Sequence, residues 1–153
     1  MTERRGDGVG EQDVRTAGGR TEAEVASQPG CWRRAARLAS QVDGHVAKLL
    51  PARGERVAVA GCGTSWFMAQ SYAAAREQAG QGETDAFAAS EMPLGRRYDR
   101  VVVLSRSGTT TEILQLLGDL AGTVPTVAVT AVPGSPVATA ADEAIVQIGR
   151  AHV

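Results

Sequence analysis

Four side-chain hydroxyls, those of Ser105, Ser107, Thr109 and Thr110, fall within six residues around Gly108 and beside one cation, Arg106. A second small-residue stretch, Gly61-Cys62-Gly63-Thr64-Ser65, lies upstream. Hydroxyls both donate and accept hydrogen bonds, and glycine lets a backbone approach a ligand closely. If such a stretch opens a helix, the unpaired N–H groups of the first turn and the positive end of the helix dipole add to it. The chemistry that fits is the holding of a phosphate, and no lysine is needed.

The flanking sequence positions both stretches in that way. Residues 101–104, Val-Val-Val-Leu, are apolar without alternation, the mark of a strand covered on both faces of a parallel sheet. A helical pattern follows from Thr111 to Leu120, with Ile113, Leu114, Leu116, Leu117 and Leu120 expected to face inward. The upstream stretch repeats the plan. Residues 56–60 read as a strand, Thr64 and Ser65 as candidate N-caps, and residues 66–79 as a helix ended by Gly80-Gln81-Gly82. Residues 83–88 predict a second strand near an edge, residues 126–130 a fourth, 137–141 a short helix and 144–147 a fifth strand. The expected fold is α/β, a doubly wound parallel sheet of about five strands in the flavodoxin-like order 2-1-3-4-5. Its switch point then falls between the first and third strands, and these carry the two loops.

Two other phosphate motifs are excluded. A dinucleotide fingerprint needs a third glycine where this chain places Trp66 or Phe67, and no G-x-x-x-x-G-K-[ST] occurs. Cys31 and Cys62 have no metal-type spacing and read as reduced thiols; Cys62, beside a candidate loop, is weighed as a nucleophile against a small packing residue, the reading favoured here. Neither a metal nor an organic cofactor is expected.

Upstream, Thr21 and Glu24 have the spacing of a capping box for a short helix that Gln28, Pro29 and Gly30 end. From Trp32 an apolar stripe (Ala35, Ala36, Ala39, Val42, Val46, Leu49, Leu50) predicts an amphipathic helix laid on the sheet and stopped by Pro51. Arg33, Arg34 and Arg37 read as its solvated face, and His45 lacks a partner at i+4.

Of the chain's 153 residues, 43% are hydrophobic and 22% charged, enough for one core. A formal net charge of -1 gives no basic footprint for nucleic acid, and no apolar run approaches the roughly 20 residues of a membrane span. A cytoplasmic address, without nucleic acid or membrane as partner, is the expectation.

The motifs now on the page carry a resemblance. Ser-x-Ser-Gly-x-Thr after a buried strand (Ser105, Ser107, Gly108, Thr110) resembles the phosphosugar loop of the SIS (sugar isomerase) family. Residues 57–60 running into Gly61-Cys62-Gly63-Thr64-Ser65 are similar to that family's first loop, and Glu24-Val25-Ala26-Ser27-Gln28-Pro29 to the helix opening the isomerase half of glucosamine-6-phosphate synthases. Ala89-Ser90-Glu91 and Val132-Pro133-Gly134-Ser135 are similar to two further family turns, and the likeness spans residues 22–147.

The resemblance implies that Ser65, Ser105, Ser107 and Thr110 bind a substrate phosphate, with Gly63, Thr64, Arg106, Gly108 and Thr109 in support. Arg106 stands where the synthases commonly carry Gln. Glu91 is a weak catalytic candidate, with a structural role the stronger reading. The implied ligand is a hexose or hexosamine phosphate, the implied assembly a homodimer. Two function classes stay open: an aldose–ketose isomerase or amino-sugar-phosphate deaminase, and a non-catalytic sugar-phosphate sensor of a regulator. The catalytic acid and base of the family are expected beyond residue 147. Residues 1–20, rich in Gly and charge, are expected to be a disordered extension, and the domain to run over 21–147. Residues 148–153, Ile-Gly-Arg-Ala-His-Val, match the in-frame translation of the sequencing adapter ATCGGAAGAGCACACGTC and are expected to be a non-native tail.

Overall fold

The structure, a computed structural model, describes residue 22 and residues 25–34, 36–37 and 44–146. The expected capping box of Thr21 and Glu24, the extension 1–20 and the tail 148–153 lie outside the described residues.

Five parallel strands form one sheet in the order β2-β1-β3-β4-β5. The elements are α1 over residues 25–34, α2 (Gly44–Leu49), β1 (Val57–Gly61), α3 (Thr64–Gln78) and β2 (Thr84–Ala88). A 3-10 turn (Ala89–Glu91), β3 (Arg100–Ser105), α4 (Thr111–Leu120), β4 (Thr126–Thr130), α5 (Pro136–Ala140) and β5 (Glu143–Val146) follow. The expected order and the bounds of α4 and β4 are reproduced, and β2 is an edge strand.

The uninterrupted apolar run in β3 is explained by cover on both faces. Val101 and Val103 pack with Ile113, Leu116, Leu117 and Leu120 of α4 and with Val137 of α5. Val102 joins Val57, Val59 and Ala69 on the α3 side, with Tyr72 and Leu104 packed against them. Ile113 and Leu117 are fully buried, so α4 is fixed by its apolar face and its N-terminus is aimed by that packing.

Polar side chains tie the loops at the strands' amino ends. Arg76, 6% exposed near the end of α3, donates to Gly82 O, Glu83 O and Thr84 Oγ1, and its second terminal nitrogen donates to Ala52 O at 2.7 Å. Asp142 accepts from both Thr126 N and Thr126 Oγ1 at 2.8 Å and fixes the start of β4.

Three expectations need correction. Helical geometry runs through Pro29 and Gly30 rather than ending there, because the φ fixed by proline is itself helical and only one N–H donor is lost. Trp32 and Ala36, expected inward, are exposed, Trp32 by 68%, as are Arg33, Arg34 and Arg37. A stripe shows that a helix has two faces, and only tertiary contacts decide whether the apolar one is covered. Thr64 and Ser65 do not cap α3: its N-cap is Gly63, at φ 53°, and both hydroxyl residues lie in the first turn.

Candidate functional site

β1 and β3 are neighbours, paired from Val57 with Arg100 to Gly61 with Leu104, so their carboxyl ends lie side by side. Each runs directly into a glycine-bearing turn and then a helix. A Cβ at Gly61 would meet Ser65 C and O at 2.5 Å, so only glycine lets the first turn of α3 fold over the end of β1. That turn is tightened by Ser65 N–H donating to Cys62 O at 3.0 Å and Trp66 N–H to Gly63 O at 3.1 Å.

The β3–α4 loop is closed from within. Ser105, 2% exposed, has its Oγ 2.9 Å from Thr110 Oγ1, and Gly108 N–H donates to that same Ser105 Oγ at 3.2 Å. Ser107 is exposed, and its Oγ accepts from Thr109 N–H and Thr109 Oγ1 at 3.4 and 3.3 Å. Gly108 is buried at φ 69°, and its carbonyl accepts from Val137 N–H at 2.9 Å. No side chain among the described residues caps α4, whose N-cap residue is Thr110, whereas α5 is capped by Ser135 Oγ accepting from Ala138 N–H at 3.4 Å. The first-turn amides of α4 are thus left to face whatever enters the crevice.

A cavity of about 470 Å³ reaches this crevice from the α3 face of the sheet. Val59, Val102, Leu104, Val127 and Val129 line its apolar part, and Ser65, Ser105, Arg106 and Thr130 line it at the carboxyl ends of the strands. Arg106 is exposed and takes no hydrogen bond or ion pair through its guanidinium among the described residues. Tyr72 is the other titratable group on the wall, and burial pushes its phenol above its ordinary range.

The candidate residues are therefore brought together unevenly. Ser65, Ser105 and Arg106 share the cavity wall; Ser107, Thr109 and Thr110 belong to the same loop, and Gly63 and Thr64 open the facing helix. Glu91 is not brought to the cavity: it is exposed at the end of the 3-10 turn after the edge strand, with no hydrogen bond or ion pair among the described residues. Cys62 packs against the α4 side of the core, and burial pushes its thiol up, a hydrogen bond with the Ala89 backbone opposing and the charge of Glu112 adding to the rise. It has the character of a packed thiol. Thr130 and Ser135, neither singled out as a site residue, both lie at the loop, and the hydroxyl ending a buried apolar strand was the sequence signal for Thr130.

Residues 49–153 match the family model described as SIS domain. Among solved structures, an Escherichia coli CFT073 protein in complex with a sugar phosphate is 25% identical, with TM-score 0.59, over 70% of this chain and 59% of that one. Glucosamine-6-phosphate deaminase from Thermotoga maritima is 26% identical, TM-score 0.57, over 62% of this chain and 32% of its own. The C-terminal domain of glucosamine-fructose-6-phosphate aminotransferase from Francisella tularensis shares the fold at TM-score 0.69 and 23% identity, over 85% and 39% of the two chains. This chain thus spans less than two thirds of each of these structures. The search of curated proteins finds no match. With its sheet order, its two loops at the switch point and a family model covering most of its length, the chain belongs to the SIS domain family.

Proposed function

We propose that the chain is a phosphosugar-binding domain, holding the phosphate of a hexose or hexosamine phosphate in the crevice between the β1–α3 and β3–α4 loops. The observation that carries this reading is the juxtaposition of Ser65 with an uncapped α4 N-terminus whose preceding loop is locked by the Ser105–Thr110 hydroxyl pair. In this reading Ser107 and the loop amides contact the phosphate, Ser65 reaches it from the facing helix, and Arg106 supplies charge. Ser105 and Thr110 hold the shape, with the Thr110 hydroxyl at the edge of the pocket. Anchoring the phosphate fixes the sugar carbons relative to any acid or base, a positioning effect worth several kcal/mol (~7–11 in well-oriented systems).

The lineage is that of sugar-phosphate isomerases and amino-sugar-phosphate deaminases, in a cytoplasmic protein acting as a homodimer. A sensor role is the second reading. What favours it is that the cavity wall carries no carboxylate or histidine among the described residues. The test is calorimetric titration of the chain with glucosamine 6-phosphate, fructose 6-phosphate and the unphosphorylated sugars, followed by product analysis. Phosphate-dependent binding supports the reading, and equal affinity for phosphorylated and free sugars overturns it. Turnover selects the enzyme; saturable binding without turnover selects the sensor.

A further inference from the structure

The β3–α4 loop is held from outside by the loop between β4 and α5. Ala131 N–H donates to Arg106 O at 3.4 Å, and Val137 N–H donates to Gly108 O at 2.9 Å. Between these two bonds the Ser135 side chain fills the space a Cβ on Gly108 would need: that atom would overlap both Ser135 Oγ and Ser135 Cβ. Ser135 is 4% exposed, so it has no room to withdraw.

The direction of these bonds has a chemical meaning. All peptide bonds among the described residues are trans, so the carbonyl of one residue and the N–H of the next point opposite ways. With the Arg106 and Gly108 carbonyls turned toward the β4–α5 loop, the Ser107 and Thr109 N–H groups are turned away from it. β3 lies between β1 and β4, so away from the β4–α5 loop is toward the loop that carries Ser65. Ser107, at negative φ, precedes Gly108 at φ 69°, the alternation that makes an anion-binding concavity of successive N–H groups.

We propose that Ser135, with the amides of Ala131 and Val137, is a positioning element for the anion site: it sets the peptide orientation that aims the Ser107 and Thr109 N–H groups at the bound phosphate. This rests on the phosphate-binding reading above. It differs from the plain reading of Ser135 as the N-cap of α5, and the two make opposite forecasts. Asparagine caps a helix as well as serine does, whereas alanine does not. Yet asparagine is larger and presses on Gly108, and alanine does not.

The experiment follows the 1H–15N signals of Ser107 and Thr109 during titration of the chain with inorganic phosphate. In the wild type both amides move downfield and saturate together. Ser135→Asn is expected to weaken phosphate at least about tenfold and to suppress both shifts. Ser135→Ala is expected to lower the melting temperature while its folded molecules keep affinity within about threefold. The reverse order, with Ser135→Asn binding normally and Ser135→Ala binding poorly, overturns the proposal and leaves Ser135 a helix cap. Wild-type amides that do not respond to millimolar phosphate overturn the phosphate reading and this proposal with it. If Ser135→Asn does not fold, amide exchange in the wild type decides. Coupling is reciprocal, so phosphate must slow exchange at Val137 if that bond supports the site. Shifts at Ser107 and Thr109 with unchanged exchange at Val137 overturn the proposal while the phosphate reading stands.

Discussion

Ser105 Oγ and Thr110 Oγ1 lie 2.9 Å apart across the neck of the β3–α4 loop, and the Ser105 end of the pair is buried. The exposed Ser107 between them has only long contacts with Thr109. The three hydroxyls therefore divide into two that shape the loop and one that is free for a ligand. Ser105→Ala leaves Thr110 without this partner and removes an acceptor from Gly108 N–H, at a cost of about 1–3 kcal/mol. Ser107→Ala is expected to stay within about 0.5 kcal/mol of wild type. Urea unfolding checks the ranking. Titration with a sugar phosphate should show the reverse emphasis, with Ser107→Ala losing affinity for the phosphorylated sugar and little for the free one.

Arg106 is the cation of this loop, and its backbone carbonyl is held by Ala131 while its guanidinium stays unpaired among the described residues. Its side chain is thus available to an anion without first breaking an ion pair. Arg106→Gln is expected to weaken binding of a sugar phosphate roughly threefold to tenfold at low salt, with the difference shrinking at about 1 M salt as screening shortens the reach of the charge. Titrations at two ionic strengths check this. A salt-independent loss would mean that the arginine acts through shape.

The parts of this fold that were legible in the sequence are those written in side-chain periodicity. The four-residue apolar run before Ser105 specified a strand covered on both faces, and the leucine spacing after Thr111 specified α4 and the face it buries. Alternating strand and helix patterns then fixed the order in which β1 and β3 become neighbours. In α3 the apolar residues do not form one stripe, and Phe67 and Met68, each 58% exposed, break the pattern that Ala69 and Ala73 follow. The bonds from Ala131 and Val137 to the phosphate loop join backbone atoms of loops distant in sequence, and backbone atoms are common to all residue types. Their trace in the sequence was Gly108, whose missing Cβ admits Ser135, but a glycine does not say what occupies the space.

Arg76 provides a control at the opposite end of the sheet. Its buried guanidinium donates to the Ala52, Gly82 and Glu83 carbonyls and to Thr84 Oγ1. Replacement by Met keeps apolar stem volume but strips these acceptors of charged donors, a loss of about 3 kcal/mol or more. Arg76→Met should unfold at lower urea while the remaining folded molecules bind a sugar phosphate with unchanged affinity. A matching loss of affinity would mean that the amino-end loops and the crevice are energetically one unit.

Asp142 offers a test of linkage. Hydrogen bonds from the Thr126 hydroxyl and the Thr126 N–H hold its carboxyl below the ordinary value of 3.8, with burial opposing weakly. A carboxyl whose folded value is depressed releases its proton more readily in the native state, so the unfolded chain binds more protons at intermediate pH. The stabilisation is present above the ordinary value and is lost as pH falls through the lower, folded value. Asp142→Asn removes the titration and weakens the bonds to Thr126. Thermal unfolding from pH 7 down to about pH 2.5 should therefore show the variant less stable than wild type at neutral pH, with the gap narrowing below about pH 4, where the wild-type carboxyl itself becomes protonated. Other acids titrate in the same window in both proteins, so the difference between the two curves isolates Asp142. A gap that stays constant with pH would assign the role of Asp142 to geometry alone, with its charge contributing nothing to the start of β4.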